Sequence, residues 1–223
     1  MHNGLFTKAL IRYLFGVLIV GILIFLPAGT FAFWQGWLLM GVLFVPMFIA
    51  GCVMIKRDPG LLERRLNARE EQVAQKLVVL TSALMFVLSF VAAGLNFRFR
   101  WLLLPPWVSW LSALLFLSGY ALYAEVLREN TWLSRTVEVS KDQKLIDTGL
   151  YGLVRHPMYL STLLLFLSMP LVLASPVSFA IMLFYLPIIC VRILNEERVL
   201  KTQLTGYEDY MRKVKYRLLP FIW

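Results

Sequence analysis

Long apolar runs alternate along this chain with short stretches rich in lysine and arginine, and this alternation limits the fold more than any other feature. The runs cover residues 13–27, 33–55, 77–96, 107–127, 158–173 and 177–193. A helix needs about 20 apolar residues to cross the bilayer core. Charged residues make up 16% of the chain, whereas soluble domains contain about 25%. The sequence therefore predicts an all-α, polytopic integral membrane protein with about six transmembrane helices.

The first apolar run, 13–27, is short for a span and follows Lys8 and Arg12. A secretory signal peptide has a similar basic start and short core, and the segment 30–32, Thr-Phe-Ala, is a passable cleavage site. A first membrane helix is the preferred interpretation, with the signal peptide as its alternative.

Basic residues indicate which side each loop faces, because lysine and arginine concentrate in short cytosolic loops. With six spans, 20 of the 22 basic residues fall on one side, and only Arg98 and Arg100 fall on the other. This division predicts that both termini and the loop 128–156 are cytosolic, in a prokaryotic cell membrane or the endoplasmic reticulum of a eukaryote. The net charge of +9 is better explained by a membrane surface than by nucleic acid, since the basic residues form no continuous face.

The last two apolar runs are joined by the segment 174–176, Ala-Ser-Pro, which predicts a tight helical hairpin. Each run is near the lower length limit for a span, so the hairpin either crosses twice or is partly re-entrant. From Asn195 onward, apolar residues recur at spacings of three and four. This pattern predicts an amphipathic tail helix, broken or bent near Gly206.

The stretch TGLYGLVRHPMYLS, residues 148–161, is where a polar loop enters the fifth apolar run. Pro157 suits the first position of a helix, and the N–H groups that follow it can bind an anion. Farther on, Arg192 and Glu196 share a helix face directly after the sixth run, where ionisable groups are costly unless they are used. Each feature also has an interpretation without a functional site. His156 would then only form structural hydrogen bonds, Arg192 would extend its side chain to the membrane surface, and Glu196 would be solvated.

These two segments carry a family resemblance. The residues concerned are Gly149, Tyr151, Arg155, His156, Pro157 and Tyr159, then Arg192, Glu196, Glu197, Leu200, Gly206, Tyr207 and Tyr210. In order and spacing they resemble the isoprenylcysteine carboxyl methyltransferase family of membrane enzymes, and phospholipid N-methyltransferases share much of the signature. The resemblance is confined to the C-terminal part of the chain. Ser161 stands where the family commonly has glycine.

The resemblance implies S-adenosylmethionine as cofactor, bound between the loop, the hairpin and the tail, with no metal. It divides the chain into an N-terminal membrane region of four helices, 1–127, and a catalytic region, 128–223. Carried over residue by residue, the cofactor-binding set is Gln143, Lys144, Leu145, Ile146, Tyr151, His156, Pro157, Met158, Tyr159, Glu196 and Glu197. The expected catalytic residues are Arg192, Glu196 and Arg155, and Arg192 matches the substrate-binding arginine of the family.

Residue chemistry also bears on the methyl acceptor. Transfer from a sulfonium to a carboxylate neutralises charge and needs no base, whereas an amine must first lose a proton. Arg192 can bind a carboxylate through two parallel hydrogen bonds, so we expect a lipophilic carboxylate such as a prenylated cysteine, entering from the bilayer. The alternatives are a phosphatidylethanolamine N-methyltransferase, an NADPH-dependent sterol-type reductase and a non-enzymatic membrane protein. The reductases look longer than 223 residues, and the chain has no Gly-x-Gly-x-x-Gly loop.

Overall fold

The computed structural model describes residues 2–67, 73–130, 132, 139 and 143–223, and all their regular structure is helical. The helices are α1 (His2–Ala28), α2 (Trp34–Arg57), α3 (Pro59–Asn67), α4 (Val73–Phe99), α5 (Pro106–Glu129), α6 (Pro157–Val172), α7 (Pro176–Met182), α8 (Tyr185–Gln203) and α9 (Tyr207–Lys213). A short 3-10 turn, Gly149–Gly152, precedes α6. The predicted all-α class is confirmed.

Five helical segments of the described chain are long and apolar enough to cross a membrane. They are Gly4–Ala28, Trp34–Arg57, Leu77–Phe99, Pro106–Glu129 and Pro176–Gln203. The protein is therefore a polytopic membrane protein. Helix α6 is apolar but has only 16 residues, fewer than the 17 or so that a span requires at minimum. The sixth crossing stays a prediction.

Helix α1 packs into the main apolar core against α4. A Cβ atom on Gly94 would lie 2.6 Å from the carbonyl oxygen of Ile24, so only glycine permits this approach of the two backbones. Ile24 and Ala28 are buried in one cluster with Phe33 and Phe116. This packing supports the membrane-helix interpretation of the first apolar run.

The last apolar run differs from its prediction in two ways. It was predicted to end at 193, before a separate tail helix, but α8 continues unbroken to Gln203. The reason is that residues 194–203 contain neither glycine nor proline and are rich in good helix formers. The run is also interrupted, between α7 and α8. Pro187 has no N–H to bond the carbonyl of Leu183, which instead accepts the N–H of Leu186 at 3.0 Å.

The bend near Gly206 is confirmed. Gly206 has φ +83°, in the left-handed region that favours glycine, and α9 begins at the next residue. Beyond α9, Val214 packs in a small cluster with Leu204, Tyr207 and Tyr210. The bend therefore turns the chain back toward the beginning of α6.

Candidate functional site

A cleft lies where the 3-10 turn, the start of α6, the end of α8 and α9 meet. It is lined by Asn130, Trp132, Gln143, Lys144, Leu145, Ile146, Tyr151, Arg155, His156, Met158, Tyr159, Glu196, Leu200, Leu204, Tyr207 and Tyr210. The structure thus brings together the cofactor-binding residues expected from the sequence, apart from Pro157 and Glu197. The assignment of these residues to a cofactor stays a prediction.

Glu197 lies at the centre of an ion cluster, which comprises Arg155, His156, Glu197 and Arg217; the first three are buried and Arg217 is partly exposed. One carboxylate oxygen of Glu197 is 2.8 Å from Nε of Arg155 and 3.4 Å from Nε2 of His156. The other oxygen is 2.9 Å from Nε of Arg217. Because both oxygens already have partners within the protein, the geometry favours a framework role for Glu197 over the predicted contact with a cofactor.

Arg155 joins the segment 214–217 to the start of α6. Its Nη1 donates to the carbonyl oxygens of Val214 at 2.7 Å and Lys215 at 2.8 Å. The backbone N–H groups of Arg155 and His156 donate to the carbonyls of Tyr216 and Arg217, at 2.9 and 2.8 Å. The predicted catalytic role of Arg155 stays a prediction, and these contacts show that it also fixes the wall of the cleft.

Arg192, Tyr159 and Glu196 form a second polar group, the Tyr159 relay. Nε of Arg192 donates to the hydroxyl oxygen of Tyr159 at 3.0 Å, and that hydroxyl donates to the carboxylate of Glu196. Arg192 and Glu196 are one turn apart on α8, with Arg192 nearer to the apolar end. Arg192 itself does not line the cleft, and it contacts the cleft through Tyr159.

The 3-10 turn is held to the end of α5 by Glu129. Its carboxylate accepts the backbone N–H of Leu150 at 2.9 Å. A Cβ atom on Gly149 would lie 2.0 Å from the same carboxylate, and Gly149 has φ +58°. Position 149 therefore requires glycine for both its conformation and its close contact.

The hydroxyl group of Tyr151 accepts a hydrogen bond from Nδ2 of Asn130 at 3.0 Å. The carbonyl oxygen of Tyr151 accepts the hydroxyl of Tyr210 at 2.7 Å. Burial raises the pKa of Tyr151 to about 12, so its hydroxyl is protonated at neutral pH and can donate.

Tyr207 presents an unsatisfied polar atom at the cleft. Its hydroxyl is buried and has no hydrogen-bond partner among the residues that the structure describes. Burial also raises the pKa of Tyr207, so the group is a neutral donor. An unpaired buried hydroxyl is unfavourable, and a bound ligand would supply the missing partner.

Comparison with known proteins shows which family and which solved structure the chain resembles. Residues 107–205 match the phospholipid methyltransferase family. The solved structure of the eukaryotic intramembrane Ras methyltransferase ICMT (isoprenylcysteine carboxyl methyltransferase) is similar over 85% of this chain and 74% of that chain, with a TM-score of 0.51 and 18% identity. The chain therefore shares the fold of that structure, and the resemblance found in the sequence is confirmed.

A second similarity is to an enzyme of a different class. A stretch of 91 residues is 26% identical to the Delta(14)-sterol reductase TM7SF2 of Mus musculus. The matched stretch covers 40% of this chain and 22% of the reductase. The chain thus corresponds to less than a quarter of that enzyme's length.

Six residues of the cleft were not in the predicted site. They are Asn130, Trp132, Leu200, Leu204, Tyr207 and Tyr210. Four of these lie on the apolar face of the tail or in its tyrosine motif, which the sequence made visible, but that face was interpreted as a surface for the membrane or the protein. Asn130 and Trp132 lie at the start of the long polar loop, and no pattern distinguishes them there.

The donor set of the cleft fits S-adenosylmethionine. Glu196 offers a carboxylate for amino or ribose groups, and Tyr207 offers an unpaired hydroxyl. The N-terminus of α6 carries a partial positive charge that favours a carboxylate. Among the described residues no group of histidine, cysteine and acidic side chains could hold a metal ion. The cavity has a volume of about 90 Å³, whereas ordinary cofactor pockets have roughly 300 Å³ or more. Binding of S-adenosylmethionine therefore requires the cleft to widen.

Proposed function

We propose that the protein is an S-adenosylmethionine-dependent membrane methyltransferase that methylates the carboxylate of a lipophilic acceptor such as a prenylated cysteine. The observation that carries this proposal is the Tyr159 relay. It connects Arg192, on the apolar side of α8, with Glu196 in the wall of the cleft. A membrane-borne acceptor and a cleft-bound cofactor would meet across this relay.

Each side of the relay has a separate task. Bound S-adenosylmethionine would supply an electrophilic methyl group on its sulfonium. Glu196 and Tyr207 bind its polar groups, and the aromatic rings of Tyr151 and Trp132 offer packing surface for adenine. The N-terminus of α6 favours the carboxylate of the methionine part.

The acceptor end depends on Arg192. The hydrogen bond from Nε to Tyr159 fixes the plane of the guanidinium, and two-pronged binding of a carboxylate uses that planar geometry. A carboxylate loses its charge as the methyl group is transferred, so a pocket that excludes water favours the reaction. No residue has to remove a proton from such an acceptor, whereas an amine acceptor requires a base.

Two other functions are supported by specific similarities. The family match over 107–205 is compatible with N-methylation of phosphatidylethanolamine, and the match to the sterol reductase is compatible with a reductase that uses NADPH. Calorimetry on detergent-purified protein with S-adenosylhomocysteine and with NADPH separates the enzyme classes. We expect binding of S-adenosylhomocysteine alone, and binding of NADPH alone would contradict the proposal.

The acceptor is tested with Arg192→Lys, which keeps the charge and loses the planar fork. Turnover of a prenylated cysteine analogue should fall by about tenfold or more, as expected for loss of a hydrogen bond to a charged group, while affinity for S-adenosylhomocysteine stays nearly constant. Arg198→Lys, on the exposed face of the same helix, is the matched control. Methyl transfer to phosphatidylethanolamine alone, insensitive to Arg192→Lys, would assign the protein to the amine-methylating enzymes.

A further inference from the structure

The segment after α9 ends in an exposed apolar surface. Phe221 and Ile222 are 88% and 78% exposed, the highest values among the exposed large apolar side chains of the described residues. Leu219 and Pro220 beside them are also exposed. We call these four residues the tip. An exposed apolar patch of this kind marks an interaction surface more often than chance.

The tip is an ordered turn. The carbonyl oxygen of Trp223 accepts the N–H groups of Arg217, Leu218 and Leu219 at 2.9, 3.0 and 3.2 Å. The carbonyl of Leu219 in turn accepts the N–H groups of Ile222 and Trp223, at 3.2 and 3.1 Å. These reciprocal bonds hold Phe221 and Ile222 outward on a closed loop.

Phe221 is held in an unusual backbone conformation. Its φ of +67° lies in the left-handed region, which a bulky side chain rarely adopts. Strained residues of this type persist where surrounding structure enforces them, and they cluster at sites of binding. The turn thus maintains an unfavourable conformation at its most exposed apolar residue.

The base of the tip rests against the apolar helices. Leu218 is buried in a cluster with Met85 of α4, Tyr159 of α6 and Ile193 of α8, and Trp223 packs against the same cluster. These helices carry the apolar stretches of the membrane region. The base of the tip therefore lies where the apolar helices meet the polar cleft, which Tyr159 also lines.

Basic residues precede this apolar surface along the chain. Arg212, Lys213 and Lys215 are exposed on the segment that leads to the tip. The guanidinium of Arg217 lies 5.3 Å from the ring centre of Trp223. Apolar side chains flanked by cationic ones match the interface of a bilayer that contains anionic lipids.

We propose that the tip inserts into the bilayer interface beside the cleft and is drawn to anionic lipid by the basic residues before it. This anchoring holds the segment 214–217 in place. Within that segment, Arg217 contacts Glu197 at 2.9 Å, and the carbonyls of Tyr216 and Arg217 accept the N–H groups of Arg155 and His156. The lipid contact thereby stabilises the ion cluster that forms one wall of the cleft.

Insertion depth is measured with single spin labels in lipid nanodiscs, on full-length protein in which Cys52 and Cys190 are replaced by alanine. Labels at positions 221 and 222 should collide more with oxygen, which partitions into lipid, than with a water-soluble nickel chelate. A label at Glu208, exposed on α9, is the matched control and should show the reverse. Nanodiscs with phosphatidylglycerol should increase the depth relative to phosphatidylcholine alone, and Lys213→Gln/Lys215→Gln should remove that increase.

Two results would overturn the proposal. A label at 221 that is as accessible to nickel as the label at 208 would place the tip in water. Shielding from both oxygen and nickel, with dipolar broadening between labels, would assign the tip to a contact between two copies of the chain.

The link to the ion cluster has its own readout, which requires no enzymatic activity. In nanodiscs, Phe221→Ser/Ile222→Ser should increase hydrogen exchange at the amides of Arg155 and His156, whose acceptors lie just before the tip. The amide of Leu150, which is bonded to Glu129 at 2.9 Å, is the internal control. Unchanged exchange at 155 and 156 would show that the tip does not stabilise the cluster.

Discussion

Tyr207 and Tyr210 lie three residues apart on α9 and have opposite hydrogen-bond environments. Tyr210 donates to the carbonyl of Tyr151 at 2.7 Å, whereas the buried hydroxyl of Tyr207 has no partner among the described residues. Tyr207→Phe removes an unsatisfied polar atom and should leave stability unchanged or slightly higher. It should weaken S-adenosylhomocysteine binding by about 0.5–1.5 kcal/mol, as measured by calorimetry.

The matched variant is Tyr210→Phe, which leaves the Tyr151 carbonyl without its partner. It should lower the free energy of unfolding by about 1 kcal/mol, measured by thermal unfolding in detergent. If Tyr207→Phe lowered the melting temperature and left the affinity unchanged, Tyr207 would be a packing residue and its hydroxyl no ligand.

Substitutions of the neighbouring acids Glu196 and Glu197 should likewise have different effects, one on ligand binding and the other on stability. Glu197→Gln removes the charge that Arg155 and Arg217 share, and breaking a buried pair in this way costs about 3–5 kcal/mol of unfolding free energy. Glu196→Gln should instead reduce S-adenosylhomocysteine affinity by about 1–3 kcal/mol. Equal losses of stability in the two variants would contradict this division.

The sequence could predict that Glu196 and Glu197 belong to the site, but not which of them contributes to binding and which to stability. Both acids match the family motif, and both were therefore expected to bind the cofactor. Consecutive residues of a helix point about 100° apart, so at most one of them faces a given cleft. Which one does so depends on Arg217, which is 20 residues farther along the chain and approaches only because the chain turns back at Gly206.

At the scale of elements, the 3-10 turn depends on a single glycine. Gly149→Ala forces a Cβ atom toward the Glu129 carboxylate at a position with φ +58°. Strain of this kind costs about 1–3 kcal/mol, and displacement of Glu129 also releases the N–H of Leu150. We expect a lower melting temperature together with weaker binding of S-adenosylhomocysteine.

The control for this change is Gly152→Ala in the same turn. A Cβ atom there would have its nearest neighbour, the carbonyl oxygen of Asp147, at 3.4 Å, and its backbone needs no left-handed conformation. This variant should stay within about 0.5 kcal/mol of the parent, as ordinary substitutions do. Equal damage from both alanines would show that the turn is sensitive to any side chain.

Helix positions followed from the sequence wherever apolar length determines them. The four helices α1, α2, α4 and α5 contain the first four predicted runs apart from Phe33, which directly precedes α2. The reason is that every backbone polar group of a span in a bilayer must be bonded internally. Apolar content could not predict the interruption before Tyr185 or the continuation of α8 to Gln203. Those depend on local backbone bonding around Pro187 and on the absence of a helix breaker, which hydropathy does not report.

At the scale of the whole molecule, the division of basic residues predicts the orientation in the membrane. Lys144 in the cleft loop and Trp101 between α4 and α5 are both exposed. Single cysteines at these positions should react with a membrane-impermeant maleimide from opposite sides of sealed vesicles, with Lys144 on the cytosolic side. Reaction of both from the same side would refute the predicted topology.

The ion cluster also determines how this protein can be recombined with its relatives. In sequence, Arg155 is 42 residues from Glu197, and Glu197 is 20 residues from Arg217. The carboxylate of Glu197 nevertheless neutralises both arginines and accepts a hydrogen bond from each. A chimera joined between α6 and α8 would inherit one side of this charge balance from each parent. Functional exchange with a similar protein therefore requires residues 149–217 to be transferred as one block, whereas α1 to α3 can be replaced independently of that charge balance.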